Sequence, residues 1–456
     1  MIVMKFGGSS VESATAIERV CRIIESRRDR PRVVVVSAMG KTTNKLLAIA
    51  QLAVEGRRAE AKNQINSLVE FHCDHARKLV PATIYESLQR SIVGHFQELG
   101  DIALGLSVLG ELTPRSLDAV ASYGERLSSL IVAAALDNIS GPAVHLDSRS
   151  VIITDRRFTQ AAPILEETYR RLLETIPPLV EQGTVVMGGF IGSTMDGITS
   201  TLGRGGSDYT ASIVGAGVKA AEIQIWTDVD GMLTTDPNLV PGVHRVKTIS
   251  FEEAAELAYF GAKVLHPSTV LPAIERNIPV RILNSRRPQV EGTLIVSKSV
   301  STSNVAKAIS TKRNVIVLNI HSTRMLMAHG FLRRIFEVFD RFETPVDMVS
   351  TSEVSVSLTI DNPRHLDEIV SELEQFADVY VERDHAILCV VGDNIRHTPG
   401  IAGAVFDSLG EINVRMISQG ASRLNISFVI NNGDVPLAVE RLHRRFFSQL
   451  DPAVFD

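Results

Sequence analysis

The chain opens with Ile2-Val3-Met4-Lys5-Phe6-Gly7-Gly8-Ser9-Ser10, an apolar run that ends in a lysine and a glycine-rich turn. The run predicts a short buried strand, and a helical pattern over 15–27 follows the turn. Two glycines let the backbone approach an anion closely, and the next helix points N–H groups at it. Taken alone, this turn is equally compatible with a plain connection and with a phosphate site.

Strands and helices alternate from this turn to about residue 300. Further strands are predicted at 32–38, 143–147, 184–191, 222–228, 278–284 and 293–296. Helical patterns lie at 43–55, 124–136, 162–174, 210–217 and 251–260. Runs such as Val33-Val34-Val35-Val36 are apolar throughout, which is typical of parallel strands covered by helices on both faces. We therefore predict an α/β fold, a three-layer sandwich around a mainly parallel sheet.

A small polar segment at 298–304 is the best linker candidate, and a repeat begins beyond it. The first copy predicts strand 315–320, helix 330–342, strands 346–350 and 354–360, helix 365–376 and strand 379–382. The second predicts strand 386–391, helix 400–409, strands 414–418 and 424–430, and helix 436–447. Two tandem βαββαβ units of ferredoxin-like type follow, the alternative being one irregular α+β domain. The predicted domains are 1–298, 304–383 and 384–456, with strand 305–310 available to complete the second unit by nesting.

Length, charge and cysteine content narrow the class of protein. The 456 residues favour two or three domains, and a net charge of -5 argues against nucleic acid or an anionic membrane as partner. Cys21, Cys73 and Cys389 are too few and too far apart for a disulfide framework, so a reducing cytoplasm is expected. No run of about 18 apolar residues is present, so no membrane span is expected.

The stretch 56–112 is predicted to be mostly helical, and it contains His72-Cys73-Asp74-His75. These residue types can bind zinc, but a structural site needs four ligands at motif spacing. We therefore interpret the run as part of a helix with two surface histidines and predict no metal site.

Two further turns follow predicted strands. Thr201-Leu202-Gly203-Arg204-Gly205-Gly206-Ser207-Asp208 precedes a helix that Ser207 or Asp208 could simply cap. Capping does not account for three glycines and an arginine, so ligand binding is favoured. The other turn, Trp226-Thr227-Asp228-Val229-Asp230-Gly231, carries two acids. Neither a Walker A loop nor a dinucleotide fingerprint is supported, because Val35 stands where the former needs glycine and no G-x-G-x-x-G follows a strand.

Taken in order, these motifs resemble the amino-acid kinase superfamily and, within it, the aspartate kinases. The resemblance covers nearly the whole chain, at 5–11, 36–44, 124–126, 188–192, 201–208, 226–231, 234–237 and 260–267. The two C-terminal units look like ACT domains, the small-molecule sensors of amino-acid biosynthesis. The resemblance implies transfer of the ATP γ-phosphoryl group to the β-carboxylate of L-aspartate, the first step toward lysine, threonine and methionine. The acceptor carboxylate is already ionised at neutral pH, so the reaction needs charge neutralisation and positioning rather than a general base.

The resemblance also implies roles for individual residues. Lys5 would stabilise the transferring phosphoryl group, and Asp208 would organise Lys5. Arg204 would grip the α-carboxylate of aspartate and Glu125 its ammonium. The implied substrate-binding residues are Ser37, Thr43, Glu125, Phe190, Arg204 and Ser207. The implied contacts to ATP, which would enter with Mg²⁺, are Lys5, Gly7, Gly8, Ser9, Thr227, Asp228 and Lys263. Leu233 and Asn238 depart from the residues usual in close relatives, which leaves details of the nucleotide contacts open.

The first ACT-like unit resembles the effector site of lysine-sensitive aspartate kinases. The matching positions are Met325, Leu332, Val346, Asp347, Ser352 and Glu353. Ala328 and Pro345 replace residues that are often serine in that class, so threonine stays an alternative effector. Two acids beside apolar residues suit a ligand with a cation on an aliphatic stem, although both could instead be solvated turn residues. The expected partners are aspartate, ATP, a feedback amino acid, and a second copy of the chain in a homodimer or a dimer of dimers.

Rival functions are another amino-acid kinase, such as an acetylglutamate or glutamate kinase, and a catalytically silent amino-acid sensor. The first group lacks tandem ACT units and the Lys-Phe-Gly-Gly opening. Retention of Lys5, Glu125, Arg204 and Asp208 speaks against the second.

Overall fold

The computed structural model describes residues 1–261, 267–298, 302, 304–322 and 329–456. The chain forms two compact units, Met1–Gly231 with Leu265–Lys298, and Met232–Val264 with Ser299–Asp456. The domain boundaries given above remain predictions. Among the described residues, no helix is both long enough and apolar enough to cross a bilayer.

The strands, in chain order, are β1 (Ile2–Phe6), β2 (Arg32–Val36), β3 (Ala143–Leu146), β4 (Ile153–Thr154), β5 (Thr184–Gly188), β6 (Ile191–Thr194), β7 (Thr199–Thr201), β8 (Glu222–Thr227), β9 (Thr248–Ser250), β10 (Val280–Asn284), β11 (Thr293–Val296), β12 (Ala308–His321), β13 (Val349–Thr351), β14 (Ser355–Ile360), β15 (Asp378–Val391), β16 (Met416–Gln419) and β17 (Asn425–Asn431). The helices are α1 (Ala14–Glu25), α2 (Thr42–Val54), α3 (Arg58–Leu79), α4 (Ala82–Leu109), α5 (Pro114–Ala121), α6 (Tyr123–Ser140), α7 (Leu165–Val180), α8 (Gly206–Gly217), α9 (Phe251–Tyr259), α10 (Leu271–Glu275), α11 (Phe331–Arg341), α12 (Leu366–Leu373), α13 (Ile401–Leu409) and α14 (Val435–Phe446). The α/β alternation predicted from the sequence is confirmed.

The first unit is built on a sheet whose strands follow the order β3-β5-β2-β1-β8-β10-β11. Every pair is parallel except β10 with β11. The apolar strands β1, β2 and β5 are almost wholly buried, as strands between two helical layers must be. Because the sheet is parallel and in register, the carboxyl ends of its strands lie along one edge, where ligands bind in such folds.

The strand predicted at 184–191 is interrupted in the structure. β5 ends at Gly188, and β6 begins at Ile191 in a separate small sheet with β4 and β7. Phe190 between them adopts a positive φ of 66°. A Cβ added at Gly189 would lie 2.6 Å from the Cβ of Ser207, so the break keeps the backbone close to α8.

Helices α3 and α4 form the predicted helical stretch, with one correction. His72 is fully buried rather than on the surface, and its Nδ1–H donates to the Leu68 carbonyl at 2.7 Å. His75 is half-buried and accepts a hydrogen bond from the Ala14 N–H at 3.2 Å. The ring of His72 packs against Phe71 and Phe96, because the apolar faces of the two helices meet there.

The second unit is built on an antiparallel sheet in the order β13-β14-β12-β15-β17-β16. The sequence predicts separate strands at 305–310 and 315–320, and again at 379–382 and 386–391. Both predicted breaks are wrong, because β12 and β15 are each continuous over 14 residues. Register shifts near Arg313 and Val315 replace the break in β12. Ala308, at the start of β12, pairs with Val391, while His321, at its end, pairs with Asp378. One strand therefore contributes to both halves of the sheet.

Candidate active site

The loops after the parallel strands start side by side at the carboxyl edge of the first sheet. The Ser37 N–H donates to the Phe6 carbonyl at 3.0 Å, and the Gly189 N–H donates to the Val36 carbonyl at 2.8 Å. The Gly7 N–H reaches the carbonyl of Trp226 at 3.3 Å. These bonds continue the sheet by one residue past β1, β2 and β5, and they hold the loops that follow these strands at fixed spacing.

A cavity of about 290 Å³ opens at this edge. Its lining residues are Lys5, Ser37, Thr43, Glu125, Phe190, Gly203, Gly205, Gly206, Ser207 and Asp208. The structure thus brings together the residues proposed for phosphoryl transfer and most of those proposed for the amino-acid substrate. Arg204 is exposed and does not line this cavity, although both of its neighbours in the chain do. Gly203, Gly205 and Gly206 join the lining without having been assigned a role from the sequence.

Lys5 and Asp208 form an ion pair inside this cavity. The Lys5 Nζ lies 2.7 Å from the Asp208 Oδ1, and the two side chains are 11% and 17% exposed. Lys5 extends from the buried strand β1, and Asp208 lies in the first turn of α8, where the helix dipole favours a negative charge. A Cβ at Gly7 would be 3.6 Å from the Lys5 Nζ, so the glycine leaves open space beside the ammonium.

Glu125 presents a buried carboxyl group with one unused oxygen. Its Oε1 accepts a hydrogen bond from the Ala38 N–H at 3.1 Å, while its Oε2 is buried and has no hydrogen-bond partner among the residues that the structure describes. Burial raises the pKa of this carboxyl to about 8, and the hydrogen bond from Ala38 lowers it only in part. An amino group entering the cavity would supply the donor that Oε2 needs.

The loop between β7 and α8 is shaped by two left-handed glycines. Gly203 and Gly205 have φ angles of 75° and 72°, which favour glycine strongly. The turn places the N-terminus of α8 against the cavity. Asp118 holds the start of this loop by accepting hydrogen bonds from the N–H and the hydroxyl of Thr201. Sequence reasoning missed Asp118, because a single acid in a short helix forms no motif that would indicate this contact.

One of the proposed nucleotide residues, Thr227, ends a short chain of hydrogen bonds that starts after β1. The Ser10 Oγ–H donates to the Ser285 Oγ at 2.8 Å, and the Ser285 Oγ–H donates to the Thr227 carbonyl at 3.1 Å. Thr227 is half-buried and Asp228 is exposed at the end of β8, while Ser9 is half-buried beyond β1. Sequence reasoning missed Ser10 and Ser285, whose contact spans 275 residues. A Cβ at Gly8 would lie 3.0 Å from the Ala38 carbonyl oxygen, so this position also requires glycine.

Lys263 lies outside the described residues, and the two departures from the family pattern lie in the second unit. Leu233 forms a β-bridge with Arg245. The side-chain amide of Asn238 donates to the Asp236 Oδ1 at 2.9 Å, which closes a local turn.

Of the six proposed effector residues, four flank the edge strand β13, namely Val346, Asp347, Ser352 and Glu353. Leu332 lies on α11, and Met325 lies outside the described residues. Leu332, Ser352 and Glu353 are exposed, and Val346 is half-buried. The Asp347 side chain is 3% exposed and already faces a cation, the Lys312 Nζ at 2.7 Å, which also contacts Asp361 at 2.8 Å. Burial raises the pKa of Asp347, while Lys312 opposes that shift. No motif or spacing in the chain indicates this internal partner.

Comparison with known proteins places the chain among characterised enzymes. A model of the amino acid kinase family matches residues 1–284, and an ACT domain model matches residues 388–446. The chloroplastic aspartokinase 2 of Arabidopsis thaliana is 40% identical over 470 residues, covering 99% of this chain and 85% of the relative. The structure of E. coli aspartokinase III with aspartate and ADP in the R-state matches with a TM-score of 0.83 at 34% identity, covering 98% of this chain and 100% of the other. The T-state of the same E. coli enzyme, in complex with lysine and aspartate, matches with a TM-score of 0.84 at 33% identity over 98% and 99% of the two chains.

Proposed function

The chain belongs to the aspartokinase family, and on that premise we propose how its residues perform and regulate the reaction. It is an ATP-dependent aspartate kinase, which transfers the γ-phosphoryl group of ATP to the β-carboxylate of L-aspartate and releases ADP. The observation that carries the residue assignment is the Lys5–Asp208 ion pair, 2.7 Å long, in one cavity with Glu125.

Lys5 is proposed to stabilise the phosphoryl group during transfer. The aspartate β-carboxylate is ionised at neutral pH, so the nucleophile needs no base. The obstacle is the approach of two anions, and a lysine at the end of β1 places a positive charge where negative charge accumulates. Asp208 fixes the ammonium by its ion pair, so Lys5 does not have to reorganise when the phosphates arrive.

Glu125 and Arg204 are proposed to hold the amino-acid end of aspartate. The unpartnered Oε2 of Glu125 suits the substrate ammonium. Arg204 is exposed on the glycine turn and would bind the α-carboxylate with two parallel hydrogen bonds. Ser37, Thr43, Phe190 and Ser207 complete the wall around the side chain of the substrate.

The nucleotide is proposed to lie along the loops that the Ser10–Ser285 contact joins. Gly7, Gly8 and Ser9 would offer backbone N–H groups to the phosphates, and Thr227, Asp228 and Lys263 would contact the rest of ATP. ATP is expected to enter as its magnesium complex, in which the metal neutralises phosphate charge and keeps most of its waters.

Lysine is proposed as the feedback inhibitor, acting at the site of Leu332, Val346, Asp347, Ser352 and Glu353, with Met325 beside them. Lysine binds the related E. coli enzyme. The buried Asp347 is an anion whose present partner, Lys312, carries the same chemical group as the inhibitor side chain. The inhibitor ammonium would either join Lys312 at this carboxylate or replace it.

A homodimer or a dimer of dimers is proposed to form through the ACT-like units. The edge strands β13 and β16 carry the exposed apolar side chains Val349 and Ile417, 38% and 49% accessible. Edge strands offer unpaired backbone groups to a second copy. Light scattering coupled to size exclusion, with Ile417→Lys as the disrupting variant, tests this assembly. A cytoplasmic location is also proposed, since all three cysteines are free and buried.

The deciding experiment combines product trapping with one substitution. Aspartyl phosphate formed from aspartate and ATP is trapped with hydroxylamine, and lysine or threonine is added in turn. Arg204→Lys keeps the positive charge but replaces the planar guanidinium, which can donate two parallel hydrogen bonds to a carboxylate. KM for aspartate should therefore rise while KM for ATP changes little. An equal rise for both substrates would assign Arg204 to the nucleotide or to the fold.

A further inference from the structure

Asp118 is a buried carboxylate that the reaction does not use directly. It lies on α5 and is 1% exposed. Its Oδ2 accepts hydrogen bonds from the backbone N–H groups of Thr159 and Thr201, both at 2.9 Å, and its Oδ1 accepts from the Thr201 hydroxyl at 2.6 Å. A buried carboxylate is costly unless donors satisfy it, and here three do so.

The contacts of Asp118 are all distant in the chain. Thr159 and Thr201 lie 41 and 83 residues away. The helix itself begins with a separate cap, in which the Thr113 Oγ accepts from the Ser116 N–H at 3.2 Å. The Asp118 side chain therefore connects the segment at Thr159 to the end of β7 at Thr201, and it does not cap the N-terminus of α5.

Thr201 is the last residue of β7, directly before the glycine turn. Its carbonyl accepts from the Ala161 N–H at 2.9 Å, and the next N–H, of Leu202, donates to the Phe190 carbonyl at 2.9 Å. Gly203 then reverses the chain with its positive φ. Since glycines on both sides of Arg204 add freedom, the position of its backbone depends on how firmly Thr201 is held.

Thr159 forms the wall beside the same turn. It has a positive φ of 73°, unusual for threonine, and its N–H is held by Asp118. A Cβ at Gly203 would lie 3.2 Å from the Thr159 carbonyl oxygen. Asp118 thus fixes both the start of the turn and the surface against which the turn packs.

We propose that Asp118 is a positioning residue for the amino-acid substrate, because it fixes the base of the turn that presents Arg204 to the aspartate α-carboxylate. This inference rests on the proposed role of Arg204. An asparagine at this position would remove the negative charge from all three hydrogen bonds. Its N–H₂ group would face either the two backbone N–H groups or the Thr201 hydroxyl, which would have to rotate to accept, so the turn would loosen even if the side-chain shape were kept.

The test uses the full-length protein with four variants. Asp118→Asn removes the negative charge that strengthens all three hydrogen bonds, and Thr201→Val removes one of these bonds, which protects the test against misfolding of the first variant. Both should raise KM for aspartate, by about tenfold for Asp118→Asn, while KM for ATP and kcat at saturating aspartate stay within about twofold. Thr201→Ser keeps the hydroxyl and should restore the normal aspartate KM. Thr113→Ala weakens α5 at its cap, so it should lower Tm and leave the aspartate KM unchanged.

Equal rises in both KM values, or an aspartate KM that simply follows Tm across all four variants, would overturn the inference in favour of a merely structural role. An unchanged aspartate KM in folded Asp118→Asn and Thr201→Val would also overturn it. Arg204→Lys separates this failure from a failure of the proposed function: if that substitution also leaves aspartate KM unchanged, the role of Arg204 itself is wrong.

Discussion

Lowering the pH should weaken aspartate binding through Glu125. Burial raises the pKa of this carboxyl to about 8, and the N–H of Ala38, 3.1 Å away, offsets only part of that effect. An ammonium ligand needs the charged form, so protonation below this pKa removes the binding partner. Between about pH 8 and about pH 6 the ionised fraction falls about fifty-fold, and KM for aspartate should rise by the same factor. KM for ATP should change far less, because Glu125 is proposed to bind only the ammonium of aspartate.

The profile is measured by coupled ADP release at saturating ATP, with ATP KM followed in parallel. Glu125→Gln keeps the shape of the side chain but cannot ionise, so its aspartate KM should be high and nearly independent of pH. Calorimetry in buffers of different ionisation enthalpy gives a second readout, since aspartate binding at about pH 7 should release close to one proton. A flat aspartate KM in the unmodified protein, or proton uptake on binding, would refute the assignment.

Three further predictions concern other contacts. Lys5→Ala should lower kcat by about 10²–10³-fold with little change in aspartate KM, as measured by ADP release, because its charge acts mostly in the transition state; near-normal turnover in the folded variant would contradict this. Ser285→Ala removes the hydroxyl that joins the Ser10 side chain to β8, so KM for ATP should rise several-fold while aspartate KM stays constant; the reverse pattern would place this contact on the amino-acid side. Asp347→Ala should raise the inhibitory lysine concentration at least several-fold without changing uninhibited kcat, with threonine run alongside. Lys312 keeps its contact to Asp361 in that variant, and Asp361→Asn is the matched control that should leave lysine inhibition intact.

The main architecture could be predicted because its signals are local in the chain. Each parallel strand is a short apolar run, and glycines or acids follow directly where the strand reaches the edge of the sheet. Parallel strands bring those ends together, and the resemblance to the aspartate kinases assigned Lys5, Ser37 and Asp208 to one site before their distances were known.

The contacts that organise the site are not local and left no such signal. Asp118 reaches Thr201 across 83 residues, and Ser10 reaches Ser285 across 275. Only the fold determines which donor faces which acceptor. A single Asp or Ser in a short element forms no repeated or spaced motif, so the sequence does not indicate its partner. Arg204 illustrates a different limit, because its motif is specific but the residue is exposed and does not line the cavity.

The errors in the second unit have a similar cause. The polar run Thr311-Lys312-Arg313-Asn314 interrupts the apolar pattern, so the sequence predicted two strands. Backbone pairing with β15 continues through it, and the left-handed Asn314 lies at the register shift instead of ending the strand. Lys312 is polar for a structural reason: on one continuous strand its ammonium reaches Asp347 and Asp361. Pattern alone cannot separate a loop from a strand whose polar side chains are paired in the folded protein.

The electrostatics of the cavity explain how it can hold an anionic nucleophile next to ATP. Before substrate binds, Lys5 is neutralised by Asp208, and the raised pKa of Glu125 keeps that carboxyl largely protonated near neutral pH. The ammonium of aspartate then stabilises ionised Glu125, and the phosphates of ATP meet a Lys5 ammonium that Asp208 already holds in place. Aspartate recognition therefore becomes sensitive to pH, because the Glu125 carboxyl must ionise before it can pair with the substrate ammonium.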